Sequence, residues 1–323
     1  MHPSEVLFQG KRPPVSLPVC DHYAGSDKLM RKSIALQQEL GPIFDITFDC
    51  EDGAAAGDEI AHAELVTHLI ASDANQFNRI GARVHDVHSE FFSQDVATIC
   101  RGAAQRLAYL AVPKVDSVAE AVHAIHIINQ HARSAGRENL PVHILIETHG
   151  ALQDVFAIAA LEQVECLSFG IMDFVSAHYG AIPASAMRTP GQFTHPLVVR
   201  AKLAMSAACH AHGKVPSHNV TTDISDSGIA ANDASRACAE FGYTRMWSIH
   251  PDQIKPIIKS FVPRISEVAE ATQILFEAQA AQWGPIKHNG RLHDRASYRY
   301  FWTILQRARA SGLPLPDNAA NLL

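Results

Sequence analysis

Short, β-prone apolar runs recur along the chain at intervals of roughly 20 to 45 residues, separated by stretches whose apolar positions follow a helical period. Eight of these runs are predicted as strands: Val15–Cys20, Phe44–Asp49, Ile80–His85, Tyr109–Pro113, Val142–Glu147, Cys166–Gly170, Val215–Val220 and Met246–His250. Helices are predicted between them over Asp27–Leu40, Gly57–Ala74, Phe91–Arg101, Ser117–Ser134, Leu152–Ala160, Pro196–Ala211 and Ser227–Glu240. The first helix starts after Ser26, a good N-cap, and stops at Gly41-Pro42, where neither residue continues a helix. Strands that alternate with helices pair in parallel, and eight such units favour a TIM (β/α)8 barrel over a doubly wound sheet. Chemistry is then expected at the C-terminal ends of the strands.

The chain runs on well past the eighth strand, with helical patterns at Ile265–Gln282 and Arg295–Ala310 and a break from Gly284 to Gly290. A barrel needs only one closing helix. The expected organisation is therefore a barrel over 15–262 and a C-terminal helical extension over 263–323. The extension carries Trp283, Tyr298, Phe301, Trp302 and Leu305, which are expected to bury against a neighbouring subunit, because so large an apolar patch is a liability in a monomer. Residues 1–14, where Ser4–Gly10 resembles a viral protease cleavage site, are expected to be disordered, and the tail Asp317–Leu323 to be mobile.

Composition narrows the function classes. The 323 residues include 27 Lys plus Arg against 33 Asp plus Glu, a formal net charge of −6, and no window collects the basic patch that phosphate backbones require. Nucleic acid is excluded as a partner. Apolar runs such as Val142–Ile146 and Ala157–Leu161 fall far short of the roughly 20 residues of a membrane helix. The six cysteines form no C-x-x-C pair and read as free thiols of a cytoplasmic protein, and the 19 histidines form no zinc-site spacing.

Polar residues at the strand ends carry the chemistry. Asp49, Glu51 and Asp52 crowd the end of the second strand and would repel one another unless cations or donors share the space. Glu51 is read as a site residue, whereas Asp52 serves equally as a complement to the next helix's dipole. Arg83 lies in an apolar strand and must be paired, with a carboxylate of the second strand as its expected partner. Glu147 closes the fifth strand and Asp173 follows the sixth. Carboxylates on adjacent strand ends suit one hard divalent cation, Mg²⁺ best.

These residues resemble the citrate lyase beta subunit-like branch of the HpcH/HpaI aldolase superfamily over about residues 15 to 310. Asp49-x-Glu51-Asp52-Gly53 is similar to the family's acidic motif, and Arg83 stands where its V-R-I-N arginine contacts substrate. Val112-Pro113-Lys114-Val115 resembles L-P-K-V, Ile146-Glu147-Thr148 resembles I-E-T, Phe169-Gly170-x-x-Asp173 resembles F-G-x-x-D, and Ile249-His250-Pro251-x-Gln253-Ile254 resembles I-H-P-x-Q-I. Gly290–Asp294 matches in part a G-x-M-I-D motif whose aspartate serves a neighbouring subunit's site. Cys20-Asp21-His22 and Ser217-His218 depart from the family pattern, which bears on the substrate.

The resemblance implies a Mg²⁺-dependent carbon–carbon lyase or condensing enzyme, Mn²⁺ being an alternative ion, that acts on an acyl-CoA such as malyl-, citramalyl- or citryl-CoA and a 2-oxo acid. In that scheme Glu147 and Asp173 hold the metal, Arg83 stabilises the developing oxyanion and Asp294 exchanges a proton with the enolate carbon. Glu51 joins Arg83 and Asp294 as a catalytic residue. Asp49, Asp52 and Lys114 support them, while Thr148 and the backbone of Gly170, Ile171 and Met172 contact substrate. A homotrimer, or a hexamer built from trimers, is expected. Two alternatives are a class II aldolase working on free 2-oxo acids and a non-autonomous subunit of a larger lyase complex.

Overall fold

The computed structural model describes residues 2–8, 14–316 and 319–323. Eight parallel strands close into a barrel in chain order. They are β1 (Cys20–Ala24), β2 (Asp45–Asp49), β3 (Ile80–Arg83), β4 (Leu107–Val112), β5 (Val142–Ile146), β6 (Val164–Phe169), β7 (Val215–His218) and β8 (Arg245–Ser248). Helices cover the gaps between strands, so the architecture is the expected α/β TIM barrel.

The elements follow the sequence pattern closely, with instructive exceptions. Asp27–Leu40, Pro196–Ala211 and Arg295–Ala310 are helical over the expected bounds. The helix expected over Leu152–Ala160 is two short helices, His149–Gln153 and Val155–Ala160, which meet at Asp154. The Asp154 carboxylate there accepts from the Val118 N–H at 2.9 Å, tying the junction to the preceding βα unit. β1 lies later than expected, because Val15–Leu17 stay outside the barrel and the polar run Cys20-Asp21-His22-Tyr23-Ala24 enters it.

That polar strand is tolerated because its side chains find partners inside the barrel. Arg245, wholly buried, pairs with Asp21 at 3.0 Å and Asp45 at 2.6 Å, and donates to the Pro18 carbonyl at 2.7 Å. Asp21 also accepts from Thr47 at 2.8 Å and Tyr109 at 3.1 Å. Hydrogen bonds of this kind offset part of the cost of burying an ion pair.

The chain divides into two compact units: Pro18–Ser260, which holds the barrel, and residues through Leu17 together with Phe261–Leu323. The second unit corrects three expectations. Pro3–Leu7 is a helix whose Leu7 packs into this unit's core, where residues 1–14 were expected to be disordered. Residues 9–13 of that segment lie outside the described residues. Ala319–Leu322 forms a helical turn with Ala319 and Leu322 buried, and Trp302 Nε1 donates to the Leu322 carbonyl at 2.8 Å, so this part of the tail is anchored. Asp317 and Asn318 lie outside the described residues. Trp283, Tyr298, Trp302 and Leu305 bury among Val268, Ile274, Leu275 and one another, so they need no second subunit to cover them. The break between the two long helices is a hairpin, β9 (Ile286–His288) with β10 (Arg291–His293). No helix among the described residues is long and apolar enough to cross a membrane.

Candidate active site

The C-terminal ends of the strands enclose a cavity of about 370 Å³ walled by Asp49, Asp52, Arg83, Glu147, Gly170, Ile171, Met172 and Asp173, with Tyr23, Asn219 and Trp247 at the ends of β1, β7 and β8 completing it. Most of the sequence-predicted residues therefore meet in one place.

Arg83 ends β3 beside Asp49, its register partner on β2. Its Nε and Nη2 grip the two Asp49 oxygens at 2.8 and 2.5 Å, and Nη1 reaches Glu51 Oε2 at 2.9 Å. Asp49 also accepts the N–H groups of Glu51 (3.0 Å) and Gly53 (2.9 Å), which folds the loop after β2 around its own carboxylate. Glycine is required at 53: a Cβ there would sit 2.1 Å from Asp49 Oδ2. Burial opposes the Arg83 charge, but Asp49 and Glu51 outweigh it and leave the guanidinium even harder to deprotonate than usual.

Lys114 links the acidic loop to the far wall. Its ammonium pairs with Glu51, with Asp52 at 2.8 Å and with Asp173 at 3.9 Å. Burial disfavours that charge, yet the hydrogen bonds to Asp52 and Glu51 hold its pKa above the ordinary lysine value. Burial likewise pushes the Asp52 carboxyl up, and Lys114 and Arg83 more than offset it, so Asp52 lies below the usual range. Lys114 itself has φ of 52°, a left-handed conformation that is strained for a side chain with a Cβ. That conformation accompanies a hydrogen bond from its N–H to Glu147 Oε1 at 2.8 Å.

Glu147 follows β5 and is almost wholly buried. Burial, and then the Asp173 charge, push its pKa up to about 8 despite the pull of Arg83 and the Lys114 N–H. Its carboxylate rests against Gly170, where a Cβ would approach Oε2 to 1.9 Å. Asp173 lies in the first turn of the short helix Ile171–Ser176, where the dipole favours a carboxylate. No group of three or more His, Cys, Asp or Glu among the described residues could hold a metal ion. The Glu147 and Asp173 pair is nonetheless a hard oxygen set whose mutual repulsion a divalent cation would relieve. Mg²⁺ binds through one or two carboxylates and keeps several waters, so the residues fit it.

The structure also places Glu51, Thr148, Gly170 and Asp294. Glu51 is not among the residues that wall the cavity; it bridges Arg83 to Lys114. Thr148 is likewise absent from the wall. Its hydroxyl donates to the Val115 carbonyl at 2.8 Å and caps the helix His149–Gln153 by accepting from the Ala151 N–H at 3.0 Å. The Gly170 N–H is taken by the Ile146 carbonyl at 3.2 Å, which leaves Ile171 and Met172 for any contact with substrate. Asp294 belongs to the other unit, where it is the N-cap of Arg295–Ala310, accepting from the Ala296 N–H at 2.9 Å. The sequence reading missed Tyr23, Asn219 and Trp247. Tyr23 and Trp247 stack with ring centroids 4.3 Å apart, and the only signal for either was an aromatic residue near a strand end.

Comparison with known proteins places this geometry. Residues 41–251 match the profile of the HpcH/HpaI aldolase/citrate lyase family. A crystal structure of a citrate lyase from Burkholderia xenovorans LB400 is 56% identical, superposes with a TM-score of 0.86 and is covered over 99% of its length by the whole of this chain. The L-malyl-CoA/beta-methylmalyl-CoA lyase of Cereibacter sphaeroides is 28% identical over 279 residues, spanning 81% of this chain and 86% of that protein. The CitE protein of Mycobacterium tuberculosis, crystallised with magnesium, acetoacetate and coenzyme A, shares the fold at a TM-score of 0.68 and 20% identity, over 91% of this chain and 99% of that one.

Proposed function

The chain belongs to the HpcH/HpaI aldolase/citrate lyase family, and from that premise we propose that it is a Mg²⁺-dependent lyase that cleaves a β-hydroxy acyl-CoA into a 2-oxo acid and an acyl-CoA, or runs the reverse condensation. The observation that carries this reading is the cavity itself, in which a two-carboxylate oxygen set faces an arginine locked by ion pairs. The malyl-CoA lyases among its relatives support a CoA thioester as substrate.

Glu147 and Asp173 would hold the metal. When bound, Mg²⁺ supplies a Lewis acid for the oxygens of the oxo-acid half. Arg83 contributes a fixed positive charge beside the oxygen on which charge develops, and because Asp49 already holds the fork, no side-chain reorganisation accompanies the reaction. Lys114 pairs with Glu51 and Asp52 and orients Glu147 through its N–H. The Ile171 and Met172 N–H groups open a helix and suit the oxo-acid carboxylate. The hydroxyl proton would pass to solvent water, and a protonated Asp294 of a neighbouring subunit would give its proton to the enolate carbon and be reprotonated from solvent, so that the proton count balances. That requires an assembly, a homotrimer or a hexamer built from two trimers.

The test is to incubate the purified chain alone with malyl-, citramalyl- and citryl-CoA, with Mg²⁺ or with EDTA, and to assay the released 2-oxo acid. Release that needs both the thioester and Mg²⁺ is expected. Turnover of free 2-oxo acids without CoA points to the class II aldolase, and turnover only on addition of a carrier protein to the non-autonomous subunit.

A further inference from the structure

We propose that Lys202, wholly buried and not itself on the cavity wall, is a positioning residue for the thioester half of the substrate, fixing through Gln192 the part of the wall made by Asn219, Val220 and Ile249. This deepens the reading above and rests on it. Lys202 lies on the helix Pro196–Ala211, which packs on β6 and β7. Its ammonium donates to Gln192 Oε1 at 2.9 Å, meets His218 Nε2 at 2.8 Å and lies 4.4 Å from the centroid of the Phe193 ring. His218 Nδ1 faces the Asn219 carbonyl at 3.1 Å. A carbonyl only accepts, so Nδ1 carries the ring hydrogen and Nε2 accepts from Lys202. The ammonium is thus met by two acceptors and an aromatic face.

A charge in this place is costly. Burial drives the Lys202 ammonium well below the ordinary lysine value; Asp233 pulls it up, and Arg236 pushes it down again. Asp233 reaches it through the Gln192 side chain, whose Nε2 donates to Asp233 Oδ2 at 2.9 Å. A methionine would fill much the same space without that cost. What the lysine adds is a fixed set of bonds. Gln192 Oε1 takes Asn219 Nδ2 at 3.0 Å as well as Lys202, so both lone pairs of that oxygen are used and the amide cannot turn.

From Gln192 the bonds lead to the wall. Asn219 Nδ2 also donates to the Val220 carbonyl at 2.9 Å. Asp233 accepts from the hydroxyls of Thr189 and, at 2.7 Å, Thr221. Gln253 carries the network on to β8, donating to the Thr221 carbonyl at 2.8 Å and accepting from the Ile249 N–H at 3.0 Å. The wall held in this way is the apolar one: Val220 packs with Trp247, and Ile249 is 41% exposed. Arg83 and the Glu147–Asp173 pair attract the anionic oxo-acid half, which leaves this wall to the acyl thioester. Those charged residues are held separately, by Asp49, Glu51 and Lys114. Loosening the network around Lys202 therefore acts on thioester binding and spares the chemistry.

The experiment compares wild type with Lys202→Met on the CoA thioester that the wild type cleaves. KM should rise by about tenfold, the equivalent of one hydrogen bond, with kcat kept within about threefold. The inhibition constant of the released 2-oxo acid, which binds on the charged wall, should change by less than about twofold. Gln192→Met cuts the same chain of bonds nearer the wall and should raise KM by a similar factor, and the double variant should be no worse than Gln192→Met alone. Thr221→Val removes one hydroxyl at nearly constant shape and should raise KM in the same sense, even if the methionine variants fail to fold. An unchanged KM, a fall in kcat as large as the rise in KM, an oxo-acid constant that shifts as far as KM, or effects of Lys202→Met and Gln192→Met that add in the double variant overturns the assignment. Failure of wild type to cleave any CoA thioester overturns the lyase reading, and this inference with it.

Discussion

Arg83 illustrates how much one residue is asked to do. Its fork is bidentate on Asp49, and its third nitrogen meets Glu51, so both shape and charge are used. A lysine keeps the charge and loses the fork. Arg83→Lys should therefore lower kcat/KM by about 10² or more, while circular dichroism shows a folded barrel; near-normal turnover would remove Arg83 from the chemistry. Glu147 carries a different strain, since its carboxyl is pushed up to about 8 by burial and by Asp173. Glu147→Gln keeps the shape against Gly170 and removes the charge a cation needs. Titration calorimetry with Mg²⁺ should lose its binding heat in this variant, and unaltered affinity would show that the metal lies elsewhere. Both residues were legible in the sequence, because an arginine or glutamate at the end of an apolar strand has few structural uses. Asn219 and Trp247 were not. Their place on the cavity wall depends on how the ends of β7 and β8 pack around it, and no spacing records that.

At the scale of elements, amphipathic helices were read well because their period and caps are local. β1 was displaced because its inward-facing residues are polar and are paid for by Arg245, Thr47 and Tyr109, which are distant in sequence. The same polar interior predicts acid sensitivity. His22 on β1 is held down to about 4 by burial, then by His250 and Lys32, although Ser248 hydrogen-bonds its ring at 3.0 Å. Burial also holds down His143 on β5, with Arg245 and Arg79 adding to it, and His218 on β7, with Lys202 adding to it. A lowered pKa means that the folded barrel refuses a proton that the unfolded chain accepts near pH 6.5. Stability is thus full above that pH and falls as the pH drops toward 4, by about 3 kcal/mol for His22 alone. Urea midpoints should decline over this window and decline less in His22→Asn, which can keep the Ser248 contact. A midpoint that held steady from pH 7 to pH 4.5 would contradict the neutral-histidine interior.

For the whole molecule, the question is whether one chain suffices. The apolar residues of the C-terminal unit cover one another, so hydrophobic burial no longer calls for a neighbour, and the case for an assembly rests on Asp294 and the partial motif around it. Leu292 and Tyr300, exposed by 76% and 60%, stand on either side of Asp294 in sequence and are apolar surface of the kind an interface covers. A contact between two different surfaces makes a ring, such as a trimer, when its rotation closes. Because Asp294 also caps a helix, Asp294→Ala would confuse a lost acid with a lost cap worth about 1 kcal/mol. Asp294→Asn retains a capping oxygen and removes the acid. Each of Asp294→Asn and Glu147→Gln should be inactive by itself. After the two are mixed and subunit exchange is verified by mass spectrometry, some sites pair an intact Glu147 with a neighbour's intact Asp294, and activity should return to roughly a quarter of wild type or less, as random assortment of two defects allows. Exchange without recovery would place Asp294 outside its neighbour's site, and a monomer in solution with full activity would dispose of the shared site altogether.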